Sequence, residues 1–163
     1  MLYWEYTQGF ACAILYKGDG RVGKLTASKQ DYLEAILSLS QGENAGVRSV
    51  DVAALLGFSR ASVSRAISLL KADGFLLQEP YGTITLTQKG LLAAQAVRDR
   101  HNLLKYYLIH LVEVDEDTAE QDACKMEHIV SEETLKRIEQ IARDHMQTYH
   151  QTQHSFADGT ESI

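Results

Sequence analysis

The chain has 163 residues, of which 45% are hydrophobic and 23% are charged. At about 100 to 200 residues per domain, this length allows one compact domain or two small ones and excludes a large multidomain enzyme. The composition is close to the globular average, which excludes a disordered or fibrous chain. Cys12 and Cys124 are too few for a disulfide framework. We therefore expect a reducing, cytoplasmic environment in which Cys124 is available as a thiol or metal ligand.

The formal net charge of −6 argues against a nucleic-acid partner when the chain is considered as a whole. The charges are unevenly distributed, however. Residues 24–90 hold seven basic and six acidic side chains, whereas residues 91–163 hold seven basic and fourteen acidic ones. Because almost all of the excess negative charge belongs to the second half, the two halves are expected to have different functions, and the objection to DNA weakens for the first half.

Residues 1–23 contain the only tryptophan and show no clear helical period. The apolar run from Phe10 to Tyr16 is too short for a membrane span, and no cationic stretch precedes it as a signal peptide would require. Two interpretations stay open. The segment is either an extension that packs a strand or hairpin on the body, or upstream sequence translated from a mis-set start with Val22 as the natural initiator; we favour the second.

Helical spacing of apolar residues begins at Thr26 and ends at Gln41-Gly42, which predicts a first helix. A short helix is expected from Ser49 to Gly57, and Ser59 is expected to cap the next one. Two short strands, 75–77 and 83–86, flank the turn residues 80–82 and predict a hairpin.

A long helix capped by Thr87 is expected next, with apolar residues on one stripe interrupted by His101. Asp115 and Ser131 are expected to start two further helices. Beyond His145 the sequence is polar and predicts an uncompacted tail.

The segment 49–70 has the spacing of a helix-turn-helix unit. Such a unit needs a small residue where its two helices approach and a turn residue that tolerates a positive φ, and Ala53 and Gly57 meet these needs. Val63 follows as the apolar plug. The hairpin after the second helix then predicts a winged variant.

The outward face of the second helix lacks acidic residues until Asp73. Arginine can pair with guanine edges, serine can reach phosphates or bases, and a helix N-terminus favours a phosphate. These side chains can also be merely solvated, as on most polar helix faces, but the acid-free face coincides with the expected recognition helix. The predicted DNA-binding residues are Ser59, Arg60, Ser62, Ser64, Arg65, Ser68 and Lys71, with Tyr81 from the wing.

Three predicted helices carry potential metal ligands. Asp31 and Glu34 lie at i and i+3 on the first helix, and Cys124, Glu127 and His128 lie at i, i+3 and i+4 on the helix after Asp115. Together with His101 they could enclose a divalent cation with mixed oxygen, nitrogen and sulfur ligands. Each also has an ordinary structural explanation: the carboxylates as solvated groups, the histidine as a hydrogen-bonded core residue and the cysteine as a small buried hydrophobe.

Five segments together resemble the diphtheria toxin repressor and manganese transport regulator family. They are LTASKQDYLEAIL, VRSVDVAALLGFSRASVSRAISLLKADGFL, YGTITLTQKG, RHNLLKYYL and EQDACKMEHIVSEET, in the family's order and spacing over residues 24–143. The resemblance implies a mainly α fold, in which an N-terminal winged helix-turn-helix domain is followed by an all-helical dimerisation and metal-binding domain. The predicted organisation is an extension at 1–23, these two domains at 24–90 and 91–145, and a polar tail at 146–163.

The resemblance also implies a metal site. Asp31, Glu34 and His101 match ligands of manganese-type members, and Glu127 and His128 match the two ligands of the EH block. Cys124 instead matches the iron-type members, because manganese-type members carry a glutamate there. The implied cofactor is therefore a divalent transition metal, Mn²⁺ or Fe²⁺.

Four departures limit the resemblance. Lys105 stands where members usually carry glutamate, and Glu120 stands where iron-type members place an ancillary-site histidine, so the ancillary metal site of those members is not supported here. Arg65 replaces the glutamine common in iron-type recognition helices, which implies a different operator. The chain also ends without the SH3-like third domain of longer members, as in the short, two-domain form.

The sequence thus predicts a cytoplasmic, metal-responsive transcriptional regulator, acting as a repressor. It is expected to bind palindromic double-stranded operator DNA as a homodimer when a divalent metal bridges its two domains, with no membrane partner and no organic ligand. A winged-helix DNA-binding protein without metal control is the alternative, since Lys105 lies near the expected site. A small metalloenzyme is disfavoured, because the donors leave no evident nucleophile or substrate loop.

Overall fold

The computed structural model of the chain describes residues 25–40, 45–78 and 82–157, the last of these by backbone alone from residue 150. The segment 1–23, for which two interpretations were open, lies outside these residues, as does the predicted wing residue Tyr81. The described residues form two compact units, 25–99 and 100–157. The mainly α architecture predicted from the sequence is confirmed.

The first unit contains three helices and a hairpin. Helix α1 spans Ala27–Leu39, α2 spans Ser49–Leu56 and α3 spans Arg60–Ala72. Strands β1, Leu76–Gln78, and β2, Ile84–Leu86, pair antiparallel with Leu76 opposite Leu86. An isolated bridge between Val47 and Ile84, which the sequence pattern did not indicate, adds a third backbone segment beside the hairpin.

The core of the first unit is formed where the three helices meet the hairpin. Apolar residues three and four positions apart put one face of each helix inward, as expected for amphipathic helices. Its fully buried large side chains are Leu33, Ile36, Leu37, Val52, Val63, Leu70, Leu76 and Ile84. Val63 is therefore the buried plug that the helix-turn-helix spacing predicts.

The turn between α2 and α3 has the predicted geometry. Gly57 ends α2 with φ of 68°, and its N–H donates to the Ala53 carbonyl. A side chain at this φ would be strained, so glycine is the residue that suits the position. The axes of α2 and α3 are bent by 115° relative to each other, within the ~90 to 120° typical of helix-turn-helix units.

Helix α4, Gln88–His110, begins against the hairpin. The Thr87 hydroxyl donates to the Gly74 carbonyl at 2.8 Å and accepts from the Gly90 N–H at 3.0 Å. A Cβ at Gly90 would overlap the Phe75 carbonyl oxygen. The absence of a side chain at Gly90 thus allows the helix backbone to approach the chain just before β1.

The second unit is all-helical and contains the last part of α4, α5 over Glu116–Met126 and α6 over Glu132–Ala157. The Asp115 side chain caps α5 by accepting from the Thr118 N–H at 2.9 Å, and these contacts to Thr118 lower the pKa of Asp115. The buried core of this unit consists of Leu103, Leu104, Tyr106, Ala123, Leu135, Ile138, Ala142 and Met146.

The prediction that the chain beyond His145 forms an uncompacted tail is wrong for the residues up to Ala157. Helix α6 continues to Ala157, and Met146 is buried. The physical reason is that no glycine or proline interrupts residues 132–157, while Ile138, Ala142 and Met146 recur at helical spacing on the core side. The polar residues of this segment up to residue 149 lie mostly on the outer face of the helix.

Among the described residues, no single helix is both long and apolar enough to cross a membrane. The bent pair α2 and α3 passes the same test by length and composition alone.

Truncation of Leu70 tests how much the buried core of the first unit contributes to its stability. Leu70 is fully buried, whereas its neighbour Leu69 is 52% exposed. Leu70→Ala should therefore lower the free energy of unfolding by ~2 to 5 kcal/mol, and Leu69→Ala should change it little. Chemical denaturation followed by circular dichroism measures both; equal losses would contradict the assigned core.

Gly90→Ala should destabilise the chain, even though alanine is the better helix former by ~1 kcal/mol. The new methyl group must displace the Phe75 carbonyl, and such overpacking costs ~1 to 3 kcal/mol. Thermal unfolding should show a lower Tm for this variant and an unchanged Tm for Gln88→Ala, an exposed position on the same helix turn. A raised Tm for Gly90→Ala would contradict the close approach.

Candidate metal centre and nucleic-acid interface

Helix α3 presents the predicted recognition residues to solvent. All seven that lie in the described part of the chain are exposed, while Val63, Ile67 and Leu70 on the same helix are buried. The sequence folds this way because the apolar residues recur at i, i+4 and i+7, which leaves one continuous polar face. A helix of this type fits the width of a DNA major groove.

Three of the predicted residues also stabilise the unit. The Ser59 hydroxyl caps α3 by accepting from the Ser62 N–H at 3.2 Å, and the Ser68 hydroxyl donates to the Ser64 carbonyl at 2.9 Å. The Lys71 ammonium donates to the Gln78 carbonyl at 2.9 Å and so ties α3 to β1. If these side chains contact DNA, they do so in addition to these hydrogen bonds or after breaking them.

Arg60 and Arg65 are the cations that α3 leaves available. Both are exposed, and neither forms an ion pair with another residue in the described part of the chain. Arg65 borders an open groove of about 530 Å³ between α1 and α3, which gives its side chain room to change rotamer. The guanidinium can therefore be directed toward a base edge or a phosphate.

In the second unit, a buried carboxylate lies between two imidazoles. Glu127 follows the last turn of α5, and its side chain is 1% exposed. Its Oε2 lies 2.9 Å from His101 Nδ1, and its Oε1 lies 3.3 Å from His128 Nε2. The hydrogen bond to Glu127 is the largest effect that raises the pKa of His101.

This arrangement fits a divalent transition metal. A buried carboxylate needs a cationic partner, and two imidazoles with one carboxylate are a donor set that such metals accept. In the structure, both imidazoles contact the carboxylate of Glu127, His101 by a hydrogen bond and His128 by an ion pair. No three His, Cys, Asp or Glu side chains in the described residues converge as a preformed cation site.

Further polar groups contact the outer nitrogen of His101. His101 Nε2 lies 3.3 Å from Glu120 Oε1, and the Lys105 ammonium lies 2.9 Å from Glu120 Oε2 and 3.1 Å from Glu116 Oε1. The ammonium holds the pKa of the Glu120 carboxyl below its usual value. From the sequence, Lys105 and Glu120 are departures from the family pattern, and neither is predicted to act on His101. Their four-residue spacings, His101 to Lys105 and Glu116 to Glu120, were the available signal.

The remaining predicted ligands lie in different settings. Asp31 and Glu34 are half-buried neighbours on α1 in the first unit. Cys124 is exposed on α5, whereas Glu127, three residues later, is buried. Helix α5 ends at Met126, so the EH pair follows the helix instead of continuing it. Membership of these three residues in the site stays a prediction.

A helix-turn-helix with a hairpin wing, followed by a helical unit with a histidine and carboxylate cluster, defines a winged-helix DNA-binding protein. Two family models match the chain. The iron-dependent repressor N-terminal DNA-binding domain matches residues 24–84, and the metal-binding and dimerisation domain of the same repressors matches residues 87–154. The chain belongs to this family, that of the diphtheria toxin repressor and the manganese transport regulator, which confirms the resemblance in its sequence.

Curated relatives agree. A helix-turn-helix-type transcriptional regulator of Methanocaldococcus jannaschii is 35% identical over 114 residues, covering 70% of this chain and 91% of that protein. The transcriptional regulator MntR of Salmonella typhimurium is 36% identical over 117 residues, covering 71% of this chain and 72% of that protein.

Solved structures agree as well. A manganese-dependent transcriptional repressor in complex with manganese matches with a TM-score of 0.64 and 29% identity, over 70% of this chain and 52% of that one. The metal-dependent transcriptional regulator MtsR matches with a TM-score of 0.63 and 26% identity, over 72% and 54%. The chain thus spans about half the length of these solved proteins.

Arg65→Ala should weaken binding to a specific DNA site by ~1 to 3 kcal/mol, because a bidentate base contact would be lost. Fluorescence anisotropy with a duplex selected from random sequence, against a scrambled duplex, measures the difference. Arg137→Ala, an exposed arginine on α6, is the control and should bind as wild type. Equal losses on both duplexes would make Arg65 a phosphate contact, and no loss would contradict the assignment of α3 as the reading helix.

Proposed function

We propose that this chain is a metal-responsive transcriptional repressor that binds palindromic operator DNA as a homodimer. The observation that carries the proposal is the buried Glu127 carboxylate between His101 and His128, in a chain whose other unit exposes an acid-free recognition helix. Similar proteins named as a transcriptional regulator and as a manganese-dependent transcriptional repressor support it. The chain is proposed to act in the cytoplasm by binding DNA, without catalysing a reaction.

The DNA partner follows from the first unit. Helix α3 would enter a major groove, with Arg65 and Arg60 reaching bases or phosphates and the Ser59 end of the helix favouring a phosphate. In a dimer, two such helices must lie about one duplex turn apart, ~34 Å. The proposed regulator would therefore recognise two half-sites with that spacing.

The proposed ligands are His101, Glu127 and His128 from the helical unit, with Asp31 and Glu34 from α1 and Cys124 from α5. When bound, the metal would supply a fixed positive charge that holds these donors. The chain would supply the carboxylates and imidazoles that bind the metal. Metal binding would then favour one conformation of the dimer over others. A coupling of ~1 to 3 kcal/mol would raise DNA affinity by about 5- to 150-fold.

Metal choice would depend on the mixed donors. Carboxylates suit Mn²⁺, whereas the Cys124 thiolate suits Fe²⁺ and later metals. Intrinsic affinity rises from Mn²⁺ through Fe²⁺ to Co²⁺. The proposed regulator should therefore respond to Fe²⁺ or Co²⁺ at lower free concentration than to Mn²⁺.

One alternative has a specific observation behind it. The Lys105 ammonium is joined to His101 through Glu120, so a protein cation already lies next to the proposed metal ligands. A winged-helix regulator without metal control would keep such a cation in place of a metal. Operator binding that is unchanged by chelator would favour this alternative.

Glu127→Ala and His128→Ala should each abolish metal-dependent DNA binding, because each removes a proposed metal ligand. An electrophoretic shift with the DNA upstream of the chain's own gene, with and without Mn²⁺ or Fe²⁺ under anaerobic conditions, measures this. Glu133→Ala removes an exposed carboxylate from α6 and should behave as wild type. Full DNA binding by Glu127→Ala in chelator would contradict the metal-switch proposal.

Cys124→Glu should shift activation toward Mn²⁺, because it replaces a soft thiolate with a hard carboxylate. Parallel anaerobic titrations of DNA binding with Mn²⁺, Fe²⁺ and Co²⁺ give the order of activating concentrations in each protein. An unchanged order would remove Cys124 from the proposed ligand set and leave the other ligands in place.

A further inference from the structure

We propose that Glu120 and Lys105 are positioning residues for His101, fixing its ring so that Nδ1 is the nitrogen presented to the metal. The proposal rests on the proposed function, in which His101 is a ligand. It concerns two side chains outside the proposed ligand set and assigns a different role to each nitrogen of one imidazole.

The two nitrogens of His101 face different partners. Nδ1 lies 2.9 Å from the Oε2 atom of buried Glu127, so it points toward the other proposed ligands. Nε2 lies 3.3 Å from Glu120 Oε1 on the opposite side of the ring. A neutral imidazole has one donor and one acceptor nitrogen. If Nδ1 donates its lone pair to a metal, the proton must be on Nε2, which is where Glu120 can accept it.

Glu120 alone would be a poor positioning group, because its side chain is 53% exposed. An exposed glutamate loses rotamer entropy when it is held in one place. Lys105 compensates, since its ammonium bridges Glu120 Oε2 at 2.9 Å and Glu116 Oε1 at 3.1 Å. The lysine side chain is itself only 20% exposed. The three contacts form one chain from Glu116 through Lys105 and Glu120 to His101.

The helices make this chain of contacts possible. His101 and Lys105 are four residues apart on α4, and Glu116 and Glu120 are four residues apart on α5, so each pair lies on one helix face. The two faces carry complementary charges. Histidine ligands of metals generally donate their second N–H to a carboxylate or carbonyl, which orients the ring and raises its basicity.

The same groups suggest a different role, which the test must separate. The Lys105 ammonium contacts both Glu116 and Glu120, so Lys105 could instead exclude a second divalent ion from these carboxylates. The positioning role predicts weaker binding of one metal ion when Lys105 is removed. The exclusion role predicts a second bound ion.

The experiment measures Co²⁺ binding to the full chain by anaerobic optical titration, which gives both affinity and stoichiometry. Loss of outer-shell partners typically weakens metal binding by about 10- to 100-fold, and Glu120→Ala should fall in that range. Lys105→Met should weaken binding less, and Lys105→Arg should restore it. Asp117→Asn, which removes one exposed negative charge from the same helix, is the matched control and should bind as wild type.

A spectroscopic measurement separates positioning from general destabilisation. In the Co²⁺-loaded protein, the His101 Nε2–H should give a paramagnetically shifted, exchangeable proton resonance. Glu120→Ala should lose it through fast exchange with water, whereas Glu120→Gln, which keeps an acceptor oxygen, should retain it. Circular dichroism verifies that each variant is folded.

The outcomes are distinct. Wild-type affinity and an unchanged exchangeable resonance in Glu120→Ala would overturn the inference while leaving the proposed function intact. A second equivalent of Co²⁺ bound by Lys105→Met would overturn it in favour of exclusion. No Co²⁺ binding by the wild-type chain would overturn the proposed function and this inference together.

Discussion

The buried carboxylate of Glu127 is the constraint on which the rest of the second unit depends. A carboxylate that is 1% exposed loses its hydration, and this cost is offset only by cationic or hydrogen-bonding partners. His101 from α4 and His128 from the segment after α5 provide them. The apolar residues around α4, α5 and α6 form the core that keeps water away from this group. The burial of Glu127 beside two imidazoles is thus a consequence of how the three helices pack.

The first unit holds helix α3 in place by its apolar face and leaves its polar face exposed. Gly57 allows the reversal between α2 and α3, and Val63 anchors α3 in the core. The Lys71 contact to Gln78 and the Thr87 contact to Gly74 then fix the hairpin and the start of α4. Arg60 and Arg65 are left exposed because the stabilising contacts use other side chains. The unit can therefore offer a preformed reading surface to DNA.

Much of this was predictable from local sequence signals. Thr26, Ser59 and Asp115 were recognisable as the residues at which three helices begin. In the structure each is an N-cap, and its side chain accepts a hydrogen bond from a backbone N–H in the first turn of its helix. The helix-turn-helix was also recognisable, because a small residue, a glycine and a buried apolar residue follow one another at the spacing that this unit needs. The hairpin was recognisable because two short apolar strands flank turn residues. The helical part of the tail was not, because a polar outer face concealed the four-residue spacing of Ile138, Ala142 and Met146.

The candidate site was predictable in its ligand types but not in its surroundings. Residue spacing could place Glu127 and His128 side by side, yet burial of Glu127 depends on tertiary packing of three helices. The contact between Glu120 and His101 joins residues 19 positions apart on different helices, so helix periodicity alone could not reveal it. The ion pair between Lys105 and Glu120 likewise joins two different helices, so the sequence shows the two residues only as separate departures from the family pattern.

The most direct test of this account is the X-ray absorption spectrum of the full chain loaded with one equivalent of Co²⁺. The account predicts a first shell of nitrogen and oxygen donors with the outer-shell scattering of coordinated imidazole. That imidazole scattering should decrease in the His101→Ala and His128→Ala variants. A spectrum without imidazole scattering, or one unchanged by both substitutions, would show that the metal binds elsewhere and would contradict the central role of the Glu127 cluster.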